Sequence, residues 1–276
     1  MFVFKTQSDL KTYLSGKKHV GFVPTMGALH EGHIALVKAS KGQNSYTGCS
    51  IFVNPTQFNN QNDFDKYPIT IANDLMLLLE ANCDFLFLPS VSEMYPEGMV
   101  KNKEYELGYL DTILEGAYRP GHFNGVCIIV HKLLDAVQPD TLYLGEKDYQ
   151  QCMVIKHLLG HIGMAIKLEI CPTLRDDDGL AKSSRNMRLS KDARVQATAI
   201  YQCLLHIKNN KENHSFKKLH AECFTKLTDA GFVPEYIALA NATNLQILSE
   251  FDVECDMVVL IAATIDQVRL IDNMRI

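Results

Sequence analysis

The sequence predicts an α/β fold in which a parallel sheet is covered by helices on both faces and a smaller α+β domain follows. Three features carry this prediction. Short, nearly continuous apolar runs recur before residue 173, helix-like stretches separate them, and the texture turns charged and broken beyond that point. A strand filled on both faces needs no polar alternate, and such strands alternating with helices build parallel sheets.

In chain order, "HVGFVP" (19–24), "TGCSIFV" (47–53), "CDFLFLP" (83–89), "DTLYLG" (140–145) and "AIKLEIC" (165–171) read as the strands. The stretches 33–42, 70–82, 122–137 and 148–161 read as the helices between them. Next, "TLRDDDGLAKSSRNMRLS" (173–190) is charged and contains Gly and Ser, so it reads as an exposed loop. A helix begun by Ser190 as N-cap, a second helix over 215–230 and strands near 235–240, 256–262 and 267–275 complete the chain. The expected division is therefore residues 1–173 as the sheet domain and 174–276 as the smaller one.

A chain of 276 residues that is 47% hydrophobic can bury a substantial core. Its formal net charge of -5 gives no basic surplus for a nucleic-acid backbone or an anionic membrane, so a small-molecule partner is expected. No apolar run reaches the roughly 20 residues of a membrane span. "MFVFKTQSDL" turns polar too soon for a signal peptide, so a cytoplasmic protein is expected. The eight cysteines form no C-x-x-C pair and read as free thiols rather than a disulfide framework or a zinc site.

In sheets of this kind ligands collect beyond the carboxyl ends of the strands, where loops lead into helices. "VPTMGALHEGHIALVKAS" (23–40) stands at such a place. His30 and His33 are three apart, which on a helix gives them one face, and Gly32 between them lets a ligand approach the backbone. Unsatisfied N–H donors and partial positive charge at the start of a helix favour a phosphate. Two plainer readings compete: a half-formed metal site, for which no third ligand stands at a recognisable spacing, and histidines that merely cap the helix or face solvent.

Thr25 through His33 resemble the H-x-G-H signature of the nucleotidyltransferase superfamily, and the longer "PTMGALHEGH" (24–33) resembles the pantothenate synthetases. Members of that family join pantoate to β-alanine at the expense of ATP. The sheet domain is then expected to be Rossmann-like and to bind nucleotide and pantoate, with residues 174–276 as a lid. The resemblance implies ATP contacts from Thr25, Met26, Gly27, Ala28, Leu29, His30, Gly32 and His33.

Four more blocks follow in order. In "SIFVNPTQFNNQNDFDKYP" (50–68), Asn54 and Gln57 follow a strand, and an amide that both donates and accepts suits hydroxyl and carboxylate oxygens. A simple Asn-Pro turn is the plainer reading. The resemblance makes Gln57 a pantoate contact, with Met26 and Asn54 in the same subsite. "LEGAYRPGHFNGVCIIVHKLLDAVQPD" (114–140) puts Arg119, Pro120, Gly121 and His122 before an apolar helix whose Phe123 and Val126 are expected as wall residues, with no catalytic role. In "LYLGEKDYQQCMVI" (142–155), Gly145 allows close approach, Lys147 supplies charge for phosphate oxygens, and Asp148 can accept ribose hydroxyls. A helix start with solvated Lys and Asp is the alternative there. The resemblance adds Glu146 to the nucleotide contacts and gives Gln151 to pantoate.

The last block, "GLAKSSRNMRLS" (179–190), reads as a flexible loop able to fold over a triphosphate, with Arg185 gripping two oxygens at once. Leu174, Lys182, Ser183, Ser184 and Arg185 are the ATP contacts that the resemblance implies here. Three departures stand out: Lys182 and Thr56, where the family usually has apolar residues, and Ile69, where an arginine commonly follows Tyr-Pro.

The implied activity is a ligase reaction in pantothenate and coenzyme A biosynthesis. Pantoate's carboxylate attacks the α-phosphorus of ATP to give pantoyl adenylate and pyrophosphate, and the β-alanine amine then displaces AMP. A carboxylate is already ionised at neutral pH, so positioning and charge stabilisation should dominate. His30, His33, Lys147 and Arg185 are the expected catalytic residues, His33 as proton donor, with Mg²⁺ on the phosphates. The residues single out no protein ligand for the metal and no charged β-alanine subsite. A homodimer is the family expectation. Two alternatives remain: another adenylyl- or cytidylyltransferase of the superfamily, which should lack Gln57 and Gln151, and a nucleotide-binding protein without turnover.

Overall fold

The computed structural model describes residues 1–59, 61–98 and 104–276. It divides into two compact units, one of residues 1–146 with 150–172 and one of residues 147–149 with 173–276.

The first unit begins with β1 (Phe2–Phe4) and α1 (Gln7–Leu14), followed by β2 (Val20–Thr25), α2 (Glu31–Gln43) and β3 (Tyr46–Ile51). Then come α3 (Gln61–Asp65), α4 (Ile71–Glu80), β4 (Phe85–Phe87), α5 (Val91–Met94), α6 (Leu114–Tyr118) and α7 (His122–Val137). β5 (Thr141–Gly145), α8 (Tyr149–Ile162) and β6 (Lys167–Cys171) close it. The six strands form one parallel sheet in the order β1-β4-β3-β2-β5-β6. This is the expected α/β architecture, and its burial explains the apolar runs: Phe22, Val23, Cys49, Phe85, Leu86, Phe87 and Tyr143 are wholly buried.

The connections run outward from β2 through β3 to β4, then cross back to β5 on the other side of β2. The order thus reverses between β2 and β5, and a sheet of this type opens its binding crevice at such a switch point. The two strands part early. β2 pairs β3 over six positions, Val20 to Thr25, yet it pairs β5 only at Gly21 and Phe22. Pro24, with no N–H to give a ladder, stands in the stretch of β2 that has left β5.

β1 and α1 have too little apolar periodicity to be read from the sequence, with Phe2 61% exposed on an edge strand. β6 is also an edge strand and is not filled on both faces, since Lys167 is exposed and pairs with Glu169 at 2.9 Å.

In the second unit, α9 (Lys191–Gln196), α10 (Ala199–Asn210) and α11 (Phe216–Asp229) precede β7 (Val233–Asn241), β8 (Ile247–Leu248), β9 (Met257–Ile265) and β10 (Val268–Arg275). The strands form an antiparallel sheet in the order β10-β9-β7-β8. Leu204, Leu219, Leu227, Leu239, Val259 and Ile261 are buried in its core. Ser190 caps α9 by accepting the Ala193 N–H at 3.3 Å, and Ser215 caps α11 through Lys218 at the same distance. Residues 173–190 are more ordered than a plain loop: Arg175 and Ala181 form a bridge, Ser184–Arg188 is a 3₁₀ turn, and Gly179 to Ala181 are buried. No helix among the described residues is long and apolar enough to cross a membrane.

The Phe85 ring lies across Gly48, where a Cβ would come 2.0 Å from the ring carbon Cζ. Gly48→Ala is therefore expected to lower unfolding free energy by about 1–3 kcal/mol, the usual cost of overpacking, measured by urea denaturation.

Candidate active site

The turn after β2 is built on one buried carboxylate. Gly27 has φ +83° and Ala28 φ +49°, so two successive residues adopt the left-handed conformation, which costs an L residue such as Ala28 about 1–2 kcal/mol. This twist aims two backbone N–H groups at Asp74 on α4. Ala28 donates to its Oδ2 at 3.0 Å and Leu29 to its Oδ1 at 2.8 Å. Thr70 Oγ1 adds a third bond at 2.9 Å. Asp74 is 0% exposed, and hydrogen bonds to a charged group contribute about 1.5–3 kcal/mol each, enough to offset the strain. Gly27 is required here because a Cβ would sit 2.9 Å from Ile51 Cγ2. Thr25 locks the near side of the turn, donating to the Ser50 carbonyl at 2.7 Å and accepting the Gly27 N–H at 3.1 Å.

The turn delivers His30 as the N-cap of α2, with extended φ and ψ of -137° and 174°. His30 is therefore outside the helix rather than on a helical face, and the pair meets by reciprocal capping. His30 Nδ1 accepts the Gly32 N–H at 3.1 Å, and His33 Nδ1 accepts the His30 N–H at 3.4 Å. The rings lie 4.0 Å apart, centroid to centroid. Because a backbone N–H can only donate, each neutral imidazole carries its proton on Nε2. The bonds that close the helix start therefore also set the tautomer of both rings. Among the described residues, no group of three or more His, Cys, Asp or Glu side chains is placed to hold a metal ion.

Beside this turn lies an amide pair. Gln57, on the short 3₁₀ turn Pro55–Gln57, is 8% exposed and donates from Nε2 to Met26 Sδ at 2.9 Å. Asn54 is wholly buried and donates to Gln57 Oε1 at 3.1 Å, so it is a strut behind Gln57. His122, buried at the start of α7, contacts the Gln57 carbonyl through Nδ1 at 2.7 Å. The segment 119–126 therefore supports the site: Gly121 takes the left-handed φ of +76° at the N-cap of α7, and Phe123 and Val126 are buried.

Gly145 ends β5 on the other flank of the switch point, with Glu146 directly after it. Gln151 is half-buried on α8, while its neighbour Gln150 is tied down, accepting from Glu115 N–H and donating to the Leu110 and Ile113 carbonyls. Lys147 and Asp148 belong to the second unit. Asn273 donates to the Lys147 carbonyl at 2.8 Å, Tyr149 donates to the Ala242 carbonyl at 2.6 Å, and the Lys147 ammonium lies 3.7 Å from Asp148.

The second unit also holds the 173–190 segment. Arg175 forms two parallel bonds to Asp272, at 2.5 and 2.9 Å, and stacks its guanidinium 4.6 Å from the Tyr201 ring centre. Burial raises the Asp272 carboxyl above its ordinary range, and Arg175 opposes that shift. Lys182, the departure from the family pattern, pairs with Asp176, which also binds Arg194 at 2.9 Å. Arg194 further bonds Asp178 and holds its carboxyl below the usual range. Ser183 caps the 3₁₀ turn by accepting the Arg185 N–H at 3.3 Å, Ser184 is buried, and Leu174 is exposed, its carbonyl accepting from Lys182 N–H.

The sequence profile of the pantoate-beta-alanine ligases matches residues 2–275. The chain belongs to that family. Pantothenate synthetases of Cytophaga hutchinsonii and Bacteroides thetaiotaomicron are 45% and 44% identical to it, the first over 96% of both chains and the second over 100% of this chain and 99% of its own. The solved pantothenate synthetase of Thermus thermophilus superposes with a TM-score of 0.93 at 38% identity, covering 99% of each chain. The Francisella tularensis pantoate-beta-alanine ligase, solved with beta-gamma ATP and beta-alanine, gives 0.84 at 37% identity over 99% of this chain and 97% of its own.

Sequence reasoning missed Asp74, Tyr95, whose hydroxyl donates to Asn54 Oδ1 at 2.7 Å, and the supporting part of His122. Asp74 carried a signal: it lies four residues before Leu78, on the buried face of α4. An ionisable residue on an apolar helix face is rarely idle. Asp74→Ala is expected to lower unfolding free energy by about 3 kcal/mol or more in urea denaturation, because two buried N–H groups lose their acceptor. A loss below about 1 kcal/mol would mean that the turn holds itself.

Proposed function

We propose that this chain condenses pantoate with β-alanine at the expense of ATP, forming pantothenate, AMP and pyrophosphate through a pantoyl adenylate. One observation carries the reading: the single run from Thr25 to His33 supplies both a helix start capped by two imidazoles and, through Met26, a contact to the buried Gln57 amide. Phosphate chemistry and small-acid recognition therefore share one turn, on β2 beside the switch point.

In the first step a pantoate carboxylate oxygen bonds to the α-phosphorus of ATP, the bond from that phosphorus to the bridging oxygen breaks, and pyrophosphate leaves with the electron pair. The backbone N–H groups and positive end of α2 favour the phosphates. His30 and His33 offer Nε2–H donors to their oxygens, and His33, once it has let go of the His30 N–H and taken up a second proton on Nδ1, supplies a proton from the imidazolium to the departing pyrophosphate. Lys147 and Arg185 neutralise phosphate charge, and Asp148 holds the ribose. Thr25, Met26, Gly27, Ala28, Leu29, Gly32, Gly145, Glu146, Leu174, Ser183 and Ser184 line the nucleotide. Lys182 joins them by exchanging Asp176 for phosphate, which leaves Asp176 still paired with Arg194. Gln57 and Gln151 hold pantoate, Asn54 acting through Gln57. In the second step the neutral β-alanine amine attacks the acyl carbon, the bond from that carbon to the oxygen carried by phosphorus breaks, AMP leaves with the electron pair, and the nitrogen gives its surplus proton to solvent.

Mg²⁺ enters as part of the nucleotide. It favours phosphate oxygens and water over an all-protein cage. A homodimer working in the cytoplasm, with 1–173 as the binding domain and 174–276 as its lid, completes the proposal. Light scattering of the purified protein tests the dimer.

Sustained release of AMP is expected only when ATP, pantoate and β-alanine are all present, whereas ATP and pantoate alone should give no more than about one pyrophosphate per enzyme. Release without pantoate, or with another acid in its place, would favour a different adenylyltransferase, and no release would favour a non-catalytic nucleotide binder. His33→Ala should slow pantoate-dependent ATP–pyrophosphate exchange by about 10²-fold or more. Exchange close to the wild-type rate would remove His33 from the chemistry.

A further inference from the structure

The amide pair behind Met26 is wired with a definite polarity. Asn54 uses its full hydrogen-bonding capacity: Oδ1 accepts from Tyr95 O–H at 2.7 Å and Thr56 O–H at 3.1 Å, while Nδ2 donates to Gln57 Oε1 at 3.1 Å and the Gly125 carbonyl at 3.2 Å. The orientation is forced, because the Gly125 carbonyl can only accept and must therefore face the NH₂ end of Asn54. Gln57 follows suit. Its oxygen is held by Asn54, so its nitrogen faces Met26 Sδ, a group that also can only accept.

The two hydroxyls that fix Asn54 come from different places. Tyr95 follows α5, is 7% exposed, and has a Lys132 ammonium 5.2 Å from its ring centre. Burial pushes its phenol pKa up, so it stays protonated and donates. Thr56 stands where the family usually carries an apolar side chain. α7 reaches the 55–57 turn closely enough that a Cβ on Gly125 would meet the Thr56 carbonyl at 2.5 Å, so the strut has no slack on that side.

We propose that Tyr95 and Thr56 are positioning residues that set the polarity of the Gln57 amide, so that this subsite offers the second Gln57 N–H, the first being given to Met26 Sδ, and selects an oxygen acceptor on the acid substrate. The proposal rests on the functional reading above, in which Gln57 holds pantoate. It assigns Gln57 to an unprotonated carboxylate or a hydroxyl lone pair of the substrate. Because both hydroxyls bond the same Asn54 oxygen, either one alone retains most of the effect.

Steady-state kinetics of Tyr95→Phe, Thr56→Val and the double variant test this. Each single variant should raise the pantoate KM by less than about threefold, and the double variant by about tenfold or more, a coupling expected of groups that share one partner. The ATP KM should stay within about twofold of wild type, and Thr56→Ser in the Tyr95→Phe background should behave as Tyr95→Phe alone. A double variant with wild-type pantoate KM, or with pantoate and ATP KM rising together, would overturn the proposal. Should the double variant not fold, Gln57→Glu replaces the N–H donors by an acceptor and should raise the pantoate KM about 100-fold; a pantoate KM near wild type would be equally fatal. Wild-type turnover that requires pantoate is the control, and its absence would overturn the functional reading along with this one.

Discussion

The carboxylate of Asp74 holds the turn on which the site depends. It gathers the N–H groups of Ala28 and Leu29, and those two bonds keep Gly27 and Ala28 in left-handed conformations. Release them and the chain has no reason to leave β2 at this angle or to enter α2 at His30. The N-cap, the imidazole tautomers and the contact of Met26 with Gln57 all lie within a few residues of that turn. A buried charge is expensive, and its cost is met here by three donors rather than by a counter-ion.

The same economy of donors and acceptors runs through the amide pair. Asn54 donates to the Gly125 carbonyl, which can only accept, and this removes the freedom of its amide to flip. His30 and His33 lose the analogous freedom of tautomer to backbone N–H groups. These side-chain atoms are oriented by neighbours whose own chemistry admits one arrangement, which preorganises them.

Much of the fold was legible because the parallel sheet is buried on both faces. The strands over 19–24, 47–53 and 140–145 are apolar runs for that reason, and they agree with β2, β3 and β5 to within two residues at each end. Edge strands obey a weaker rule, so Phe2–Phe4 left no readable period and Lys167 on β6 escaped the burial expected of it. Residues acting through local spacing, His30 with His33 and Asn54 with Gln57, were visible as motifs. Residues acting from a distance in the chain were not: Asp74 lies 46 and 45 positions from Ala28 and Leu29, and Tyr95 lies 41 from Asn54. Charge alone also misled in the 173–190 segment. Its Asp and Arg residues look solvated in sequence, yet Arg175 is paired with a buried Asp272 contributed by β10.

Amide hydrogen exchange read by mass spectrometry, with and without a non-hydrolysable MgATP analogue, tests the central claim most directly. Nucleotide should slow exchange most strongly in peptides covering residues 25–34, and Asp74→Ala should abolish that protection while the protein stays folded. Protection of equal size in the variant, or protection that spares this peptide in the wild type, would show that the phosphates are held elsewhere and that the Asp74 turn is only scaffolding.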